Sequence, residues 1–295
     1  MQAVDLSRFQ GLVSELFKWP ESKSDWEEYR LTKEQVGLFR ENGWLAGVPM
    51  LDDKQIQALR KELTSLADQD HPGHEFFYEF HSNESDNPEK ILFHALGAWR
   101  ITPGFHDVLW NPRFLVAASQ LLGNKPVRFW HDQLFWKPAR QGGVVAWHQD
   151  YSYWTRTKPI AHLTCWCGLD DSTVENGCVQ YVPGSHKWGL LEKPQLAGDL
   201  MGIMDYLTAA QQEQFKPIPA EVKAGHAIFH HPLTLHGSGE NKSSLPRRAF
   251  VVNVFEDGVV SDSDQPLLQG VPPVRKGAKM EGRFFPLLFD PRTIN

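Results

Sequence analysis

The chain has 295 residues, of which 41% are hydrophobic and 22% charged, an ordinary composition for a globular protein. The formal net charge is −6 and Lys and Arg form no cluster, so nucleic acid is not expected as a partner. No apolar run approaches the ~18 residues of a membrane span, and the N-terminus lacks a secretory signal pattern. These features predict a cytoplasmic protein that binds neither nucleic acid nor membrane.

Helical patterns dominate the first 125 residues. Apolar residues at helical spacing predict helices over residues 6–17 and 52–66. Thr32 and Gln35 form a capping-box pattern for another helix, and Asn111-Pro112 is a typical helix start. The polar stretch 71–90 is expected to be an exposed loop that borders the functional site.

Short aromatic and β-branched runs begin at residue 127 and alternate with turn signals. The predicted strands cover residues 127–136, 143–150, 160–169, 178–182, 227–229 and 248–255. Turns are expected at residues 141–143 and at Asn176-Gly177, the second typical of a hairpin, and a helical insert is expected over 198–214. Strands at this spacing without intervening helices favour an antiparallel sandwich or barrel.

The sequence therefore predicts an α+β, mainly β fold built as a single domain over residues 1–295. We expect a mostly helical flank over 1–125, a β-sandwich core over 126–256 and a C-terminal extension over 257–295.

His148 and Asp150 lie two residues apart at the end of a predicted strand, so their side chains share one face. The downstream segment 229–238 offers a second imidazole, in His236. Two histidines and a carboxylate can occupy one face of iron(II) and leave the opposite face open to a bidentate oxo acid and O₂. The alternatives to His236 in this position are His162, His186, His230 and His231.

Arg247 follows His236 at the start of an apolar strand. Its planar guanidinium can bind the distal carboxylate of 2-oxoglutarate bidentately, and the Ser238 hydroxyl can add a further donor. Arg248 is the alternative, because neighbouring residues on a strand point to opposite faces and only one of the two can reach the metal pocket.

These motifs, in this order, resemble the phytanoyl-CoA dioxygenase family. The resemblance rests on Trp147-His148-Gln149-Asp150, on the segment 176–186, and on His236-Gly237-Ser238 with Arg247; it extends over roughly residues 38–255. It implies a double-stranded β-helix (a cupin-like jelly roll) with flanking helices.

The resemblance also implies roles for individual residues. His148, Asp150 and His236 correspond to the family's iron(II) ligands, and Arg247 and Ser238 to its 2-oxoglutarate contacts. Trp166 corresponds to a residue that lines the co-substrate pocket, and Gln133 and Lys137 are expected to face the same cavity. Halogenating relatives are expected to carry a small residue in place of Asp150, so hydroxylation is favoured here.

The activity implied is oxidative decarboxylation of 2-oxoglutarate with O₂, coupled to hydroxylation of an unactivated C–H bond in a small or medium organic metabolite. Tyr151, Tyr153 and Trp154 are expected to form part of the substrate wall. One alternative is a cupin-like metal protein without O₂ chemistry, such as a hydrolase or isomerase, which gives no reason for Arg247. Another is a catalytically silent ligand-binding member, in which the ligand set would be expected to have decayed. Iron-dependent succinate formation separates the three.

Overall fold

Antiparallel β-strands form most of the regular structure in the computed structural model, which describes residues 3–85, 87–193, 195–196 and 199–294. The strands are β1 (Trp44–Pro49), β2 (Glu79–His81), β3 (Phe93–Leu96), β4 (Val127–Lys137), β5 (Val145–His148), β6 (Thr157–Lys158), β7 (His162–Gly168), β8 (Val179–Tyr181), β9 (Ile218–Pro219), β10 (His226–His230), β11 (His236–Ser238), β12 (Arg247–Glu256), β13 (Val260–Ser261) and β14 (Leu287–Phe289). The α-helices are α1 (Lys23–Glu27), α2 (Lys33–Asn42), α3 (Asp53–Leu66), α4 (Pro103–Asp107), α5 (Pro112–Leu121) and α6 (Ala209–Gln214).

Most strands belong to one large and one small sheet. The large sheet has the order β1-β10-β7-β12-β4-β3-β2, with β14 also paired to β4, and the small sheet has the order β5-β11-β8-β9. Side chains from both sheets, among them Phe135, Trp166 and Val179, meet in one buried apolar cluster between them. Two facing antiparallel sheets of this kind form a jelly roll, which confirms the fold class expected from the sequence.

Helices α3 and α5 pack on the outer face of the large sheet. Leu59 and Leu63 of α3 share the main apolar core with Phe250 and Val252 of β12. Because alternate residues of a strand point to opposite faces, Val251 of the same strand faces the other sheet. The inner face of the large sheet, which faces the small sheet, is therefore available to form a binding site. No helix within the described ranges is long and apolar enough to cross a bilayer.

The helix-capping predictions were correct. α2 follows Thr32, which forms a capping box with Gln35, and α5 follows Asn111, whose side chain accepts from the Arg113 amide. α3 begins after the cap residue Asp52. Each of the six predicted strands also has a counterpart, β4, β5, β7, β8, β10 and β12.

The helix predicted over residues 6–17 was wrong. Only the 3-10 turn Leu6–Arg8 forms there, and Gly11 has a positive φ of 136° that an α-helix does not allow. The Asp107 carboxylate accepts from the amides of Val13 and Ser14 at 2.7 and 2.8 Å. These two amides therefore donate to a distant side chain instead of to the carbonyls of a helix, which the apolar spacing had predicted.

Other differences come from pairing between distant segments. β1, β2 and β3 lie in the flank expected to be mostly helical, and β2 lies in the stretch 71–90 expected to be a loop. Gly177 adopts the positive φ of a turn, but Asn176-Gly177 does not join a hairpin. The strand before it, β7, belongs to the large sheet and the strand after it, β8, to the small one.

The N-terminal segment is attached by an ion pair that can be tested. Arg100 donates to both carboxylate oxygens of Asp5, at 3.2 and 2.6 Å, and both side chains are buried. Asp5→Ala leaves the guanidinium without its anion, so the free energy of unfolding should fall by about 3–5 kcal/mol in chemical denaturation.

Glu27→Ala is the matched control, because the Glu27–Arg30 pair is about half exposed on both sides. Its effect should stay below ~1 kcal/mol. Equal losses in the two variants would contradict a structural role for the buried pair.

Candidate metal centre

Three side chains able to bind a metal meet at neighbouring strands of the small sheet. β5 ends at His148, directly opposite His236 at the start of β11. Asp150 follows at the first position of a 3-10 turn. One ligand atom from each residue lies within 4.8 Å of the other two, and Asp150 Oδ1 is 3.4 Å from His148 Nε2 and 3.6 Å from His236 Nε2. This spacing allows all three atoms to bind one ion.

Both histidines are held in the tautomer that leaves Nε2 free for a metal. His148 Nδ1 donates to the Ala146 carbonyl at 2.7 Å, and His236 Nδ1 donates to the Thr234 carbonyl at 2.9 Å. A backbone acceptor at Nδ1 fixes the ring and makes Nε2 the ligand. Burial, with the neighbouring His148 and His230, lowers the pKa of His236 well below its usual value, so this imidazole stays neutral.

Asp150 is oriented by hydrogen bonds to its second oxygen. Oδ2 accepts from Thr164 Oγ1 at 2.5 Å and from His230 Nε2 at 2.9 Å, while Oδ1 faces the two candidate histidine ligands. Burial alone raises the pKa of Asp150, but the surrounding imidazoles of His236, His148 and His230 outweigh it and hold the pKa well below normal. The carboxylate is therefore ionised and offers one oxygen to a metal.

The four alternative histidines have other contacts. His230 supports Asp150, and its Nδ1 accepts from the Tyr181 hydroxyl at 2.9 Å. His162 contacts Thr157, His186 contacts the Arg40 carbonyl, and His231 accepts from the Leu233 amide. Among the described residues, none of the four joins the metal-binding group.

Gln149, between His148 and Asp150, forms hydrogen bonds to the backbone of neighbouring segments. Its Nε2 donates to the carbonyls of Gly189 and Leu233, at 2.9 and 2.8 Å, and its Oε1 accepts from the Leu191 amide at 2.8 Å. The residue between the two candidate ligands thus ties two other segments to the metal centre.

A narrow apolar pocket leads from the metal centre between the sheets and ends at Arg247. Its walls include Phe135, Val145, Trp166, Val179 and Val251, and Ser238 lies beside Arg247. The buried Arg247 Nη1 donates to the Gly177 carbonyl and to Ser238 Oγ, and its guanidinium lies over the Trp166 ring at 5.4 Å. Its Nε is buried without a hydrogen-bond partner, as expected of a donor that would bind a ligand.

Positive charge is concentrated at this end of the pocket. Lys137 is fully buried opposite Arg247, and the nearby acids Glu240 and Asp170 form ion pairs with Lys90 and with Arg60 and Arg248 instead. Burial lowers the pKa of Arg247 to about 10, and burial together with Arg247 lowers the pKa of Lys137 well below normal. Both pKa values are lowered because positive charge is costly on buried basic groups without an anion, so the pocket suits an anionic ligand that would stabilise these charges.

Lys137 lies on the pocket side of its strand but does not line the pocket, contrary to the expectation from the sequence. Its Nζ donates to Ser238 Oγ at 2.6 Å and to the carbonyls of Ser238 and Gly239 at 3.3 and 2.5 Å. These bonds engage the three donors of the ammonium group, so Lys137 acts from behind Ser238. Arg248 lies on the other side of the strand, with two donors on Asp170.

A second cavity of about 500 Å³ opens on the other side of the metal centre. Gln133, His148, Asp150 and Leu196 line both this cavity and the narrow pocket, so the two meet at the metal centre. The wall contains the aromatic residues Trp130, His131, Tyr153 and Trp154, and the charged or titratable residues Glu79, Glu84, His94, Arg156 and Lys193. Its position suits a primary substrate.

Tyr153 and Trp154 line this outer cavity as expected, whereas Tyr151 does not. The Tyr151 hydroxyl donates to the Thr157 carbonyl, and its ring packs against His162 within the main core. The physical reason is the 3-10 turn over Asp150–Tyr153, which sends successive side chains in directions about a third of a turn apart.

The family model described as phytanoyl-CoA dioxygenase (PhyH) matches residues 39–249. The chain belongs to the phytanoyl-CoA dioxygenase family. The matched range contains all three candidate metal ligands and Arg247.

A curated relative agrees with the membership, and solved structures share the fold. A phytanoyl-CoA dioxygenase of Arabidopsis thaliana is 29% identical over 256 residues, covering 77% of this chain and 89% of the relative. The non-heme alpha ketoglutarate dependent carbocyclase SnoK shares 22% identity at a TM-score of 0.70, covering 92% of this chain and all of that one. The epimerase SnoN, solved with Fe³⁺, alpha ketoglutarate and nogalamycin RO, shares 22% at a TM-score of 0.71, covering 87% and 98%. The two structures show a common fold.

Several site residues of this phytanoyl-CoA dioxygenase family member were not identified from its sequence. Thr164, which holds Asp150, lies two residues before Trp166 on β7, and strand parity could have found it. Glu84, His94 and His131 of the outer cavity gave no such signal, because only tertiary pairing brings them to the site.

The candidate ligands can be tested by metal content. His148→Ala, Asp150→Ala and His236→Ala should each abolish stoichiometric binding of iron(II) or manganese(II), because two protein ligands rarely hold an ion that three bind well. The measurement is metal analysis after anaerobic loading and desalting.

His186→Ala and His231→Ala are the controls and should keep one metal per chain, since their rings contact backbone atoms away from the centre. Full metal content in His236→Ala would show that another residue supplies the third ligand.

Proposed function

We propose that this family member is an iron(II)- and 2-oxoglutarate-dependent dioxygenase that hydroxylates an unactivated C–H bond of a small or medium organic metabolite. The observation that carries the proposal is the position of Arg247. A buried guanidinium with an unpartnered Nε lies at one end of an apolar pocket, and a three-ligand metal centre lies at the other.

The donor set fits iron(II). Two neutral imidazoles and one carboxylate oxygen are the ligands typical of non-haem iron oxygenases, which leave positions open for co-substrate and O₂. When bound, the iron would supply the redox chemistry that couples O₂ reduction and decarboxylation of 2-oxoglutarate to substrate oxidation.

The protein's own groups bind and orient the co-substrate. Arg247 would hold its distal carboxylate, and the Ser238 hydroxyl would join it by turning its proton away from the Gly177 carbonyl, to which it donates at 2.8 Å. Lys137 supports Ser238 from behind. The apolar walls exclude water, and the hydrogen bonds from Thr164 and His230 keep Asp150 in place. Because Asp150 occupies the ligand position that halogenating relatives are expected to leave open, hydroxylation is favoured over halogenation.

The outer cavity suits a metabolite of medium size with an apolar part. Its volume of about 500 Å³ is within the usual range for small-molecule sites. Tyr153 and Trp154 provide surfaces for a ring or alkyl group, whereas charged residues of both signs share the wall. A coenzyme A carrier, with several phosphates, would call for a basic cluster, so we propose a free metabolite instead of a thioester.

Two other functions account for less of the site. A metal-dependent hydrolase or isomerase does not require a buried arginine backed by a buried lysine at the end of a co-substrate-sized pocket. A catalytically silent ligand-binding protein does not require two histidines held with Nε2 free beside an oriented carboxylate.

The central test measures the co-substrate. Purified protein with iron(II) should bind 2-oxoglutarate and release succinate slowly without a primary substrate. Arg247→Leu should weaken binding by on the order of 2–5 kcal/mol, because the carboxylate loses its buried partner. Calorimetry with manganese(II) measures the affinity, and chromatography measures succinate.

Arg248→Leu is the matched control, since this side chain pairs with Asp170 outside the pocket and should change co-substrate affinity far less. A larger loss of 2-oxoglutarate affinity in Arg248→Leu than in Arg247→Leu would show that Arg248, and not Arg247, binds the co-substrate. A wild-type protein that binds metal but no 2-oxoglutarate would refute the oxygenase proposal.

The substrate class is tested by a panel of free metabolites and acyl-coenzyme A esters, with succinate release measured for each. We expect stimulation by free compounds that carry an apolar part. Product analysis by mass spectrometry should show addition of one oxygen, whereas cyclised or epimerised products would point to another outcome of oxidation. Strong stimulation by thioesters alone would contradict the proposed class.

A further inference from the structure

A chain of three side chains connects the outer cavity to the metal centre. His94 on β3 bonds through Nδ1 to Glu84 Oε2 at 2.5 Å and through Nε2 to Gln133 Oε1 at 2.8 Å. The imidazole is stacked between the rings of His81 and Phe135, at 6.2 and 4.5 Å, so its plane is fixed. These three residues therefore form a defined linear network.

The charges of this network set the orientation of the Gln133 amide. Burial opposes a charge on His94, but the hydrogen bond and charge of Glu84 outweigh it and raise the pKa of His94. Burial likewise opposes the carboxylate form of Glu84, and His94 outweighs it and lowers the pKa of Glu84. An imidazolium donates from both nitrogens, so Gln133 presents its oxygen to His94 and its NH₂ group away from it.

The position of Gln133 indicates what its NH₂ group meets. Gln133, Phe135 and Lys137 alternate onto the same face of β4, which is the pocket face. Lys137 lies at the Arg247 end. Gln133, four residues away, lies where the narrow pocket meets the outer cavity, beside His148 and Asp150. A dicarboxylate that lies along this face has its metal-bound end at Gln133.

We propose that the Gln133 amide donates a hydrogen bond to the C1 carboxylate of bound 2-oxoglutarate, with Glu84 and His94 as positioning residues that fix its orientation. The inference rests on the proposed function. It assigns a donor to the metal-proximal carboxylate, whereas Arg247 serves the distal one. It also gives a role to the Glu84–His94 ion pair, in which the imidazole is buried and the carboxylate is partly exposed to the outer cavity.

The test uses variants that change the polarity of the network. Gln133→Glu keeps the side-chain size but replaces the donor by an anion that repels the carboxylate. Gln133→Leu removes the donor. Glu84→Gln removes the charge that keeps His94 protonated, so the imidazole no longer has to donate to the Gln133 oxygen and the amide is free to turn. His81→Gln is the control, because it alters a ring that stacks on His94 and lies near Glu84 but forms no hydrogen bond with any of the three network residues, all of which the structure describes.

The readouts are the dissociation constant of 2-oxoglutarate and the energy of the charge-transfer absorption of the anaerobic iron(II)–2-oxoglutarate complex. Gln133→Leu and Glu84→Gln should each raise the dissociation constant roughly tenfold, the effect of losing one hydrogen bond to a charged group. Both should shift the absorption in the same direction. Gln133→Glu should weaken binding more than Gln133→Leu, and His81→Gln should change neither quantity.

A double variant separates positioning from independent effects. In a Gln133→Leu background, Glu84→Gln should add little, because Glu84 acts through the amide. Additive losses would overturn the inference, and so would wild-type affinity in Gln133→Glu, which would show that the amide only accepts from His94. Failure of the wild-type protein to bind 2-oxoglutarate would instead refute the proposed function, and iron content measured first in each variant identifies loss of the metal itself.

Discussion

The antiparallel pairing of β5 with β11 holds His148 opposite His236, and the rest of the site is arranged around that pair. A shift of one residue in this register would turn one imidazole to the other face of the small sheet. Gly237 allows the close approach, because a Cβ at this position would lie only 3.0 Å from the Trp147 ring. Asp150 reaches the pair because the chain leaves β5 in a 3-10 turn, and Gln149 anchors that turn to two other segments.

The pocket is organised by charge as much as by shape. An ionised Asp150 lies at one end, and Arg247 and Lys137 lie at the other, with apolar side chains between them. Each end is electrostatically incomplete among the described residues, since the Asp150 carboxylate has only imidazoles beside it and Arg247 forms no ion pair. A metal ion and a dicarboxylate would complete both ends and bridge them.

Features that depend only on neighbouring residues were predicted correctly, whereas features that depend on contacts with distant segments were often missed. Capping by Thr32 and Asn111 depends on neighbouring residues and was predicted correctly. The 6–17 segment was mispredicted because Asp107, far along the chain, takes its backbone donors. His148 and Asp150 could be proposed together from strand parity, whereas His94 reaches the site only because β3 pairs with β4. The direction of Tyr151 depended on a turn that the residue pattern did not reveal.

The unpartnered Arg247 Nε has a consequence for turnover. Under the proposed function, the carboxylate that Arg247 binds is unchanged when 2-oxoglutarate becomes succinate. This end of the pocket therefore binds co-substrate and product alike, and only the metal-bound end distinguishes them. Succinate should compete with 2-oxoglutarate, and product release should be governed by the loss of metal chelation at the other end of the pocket.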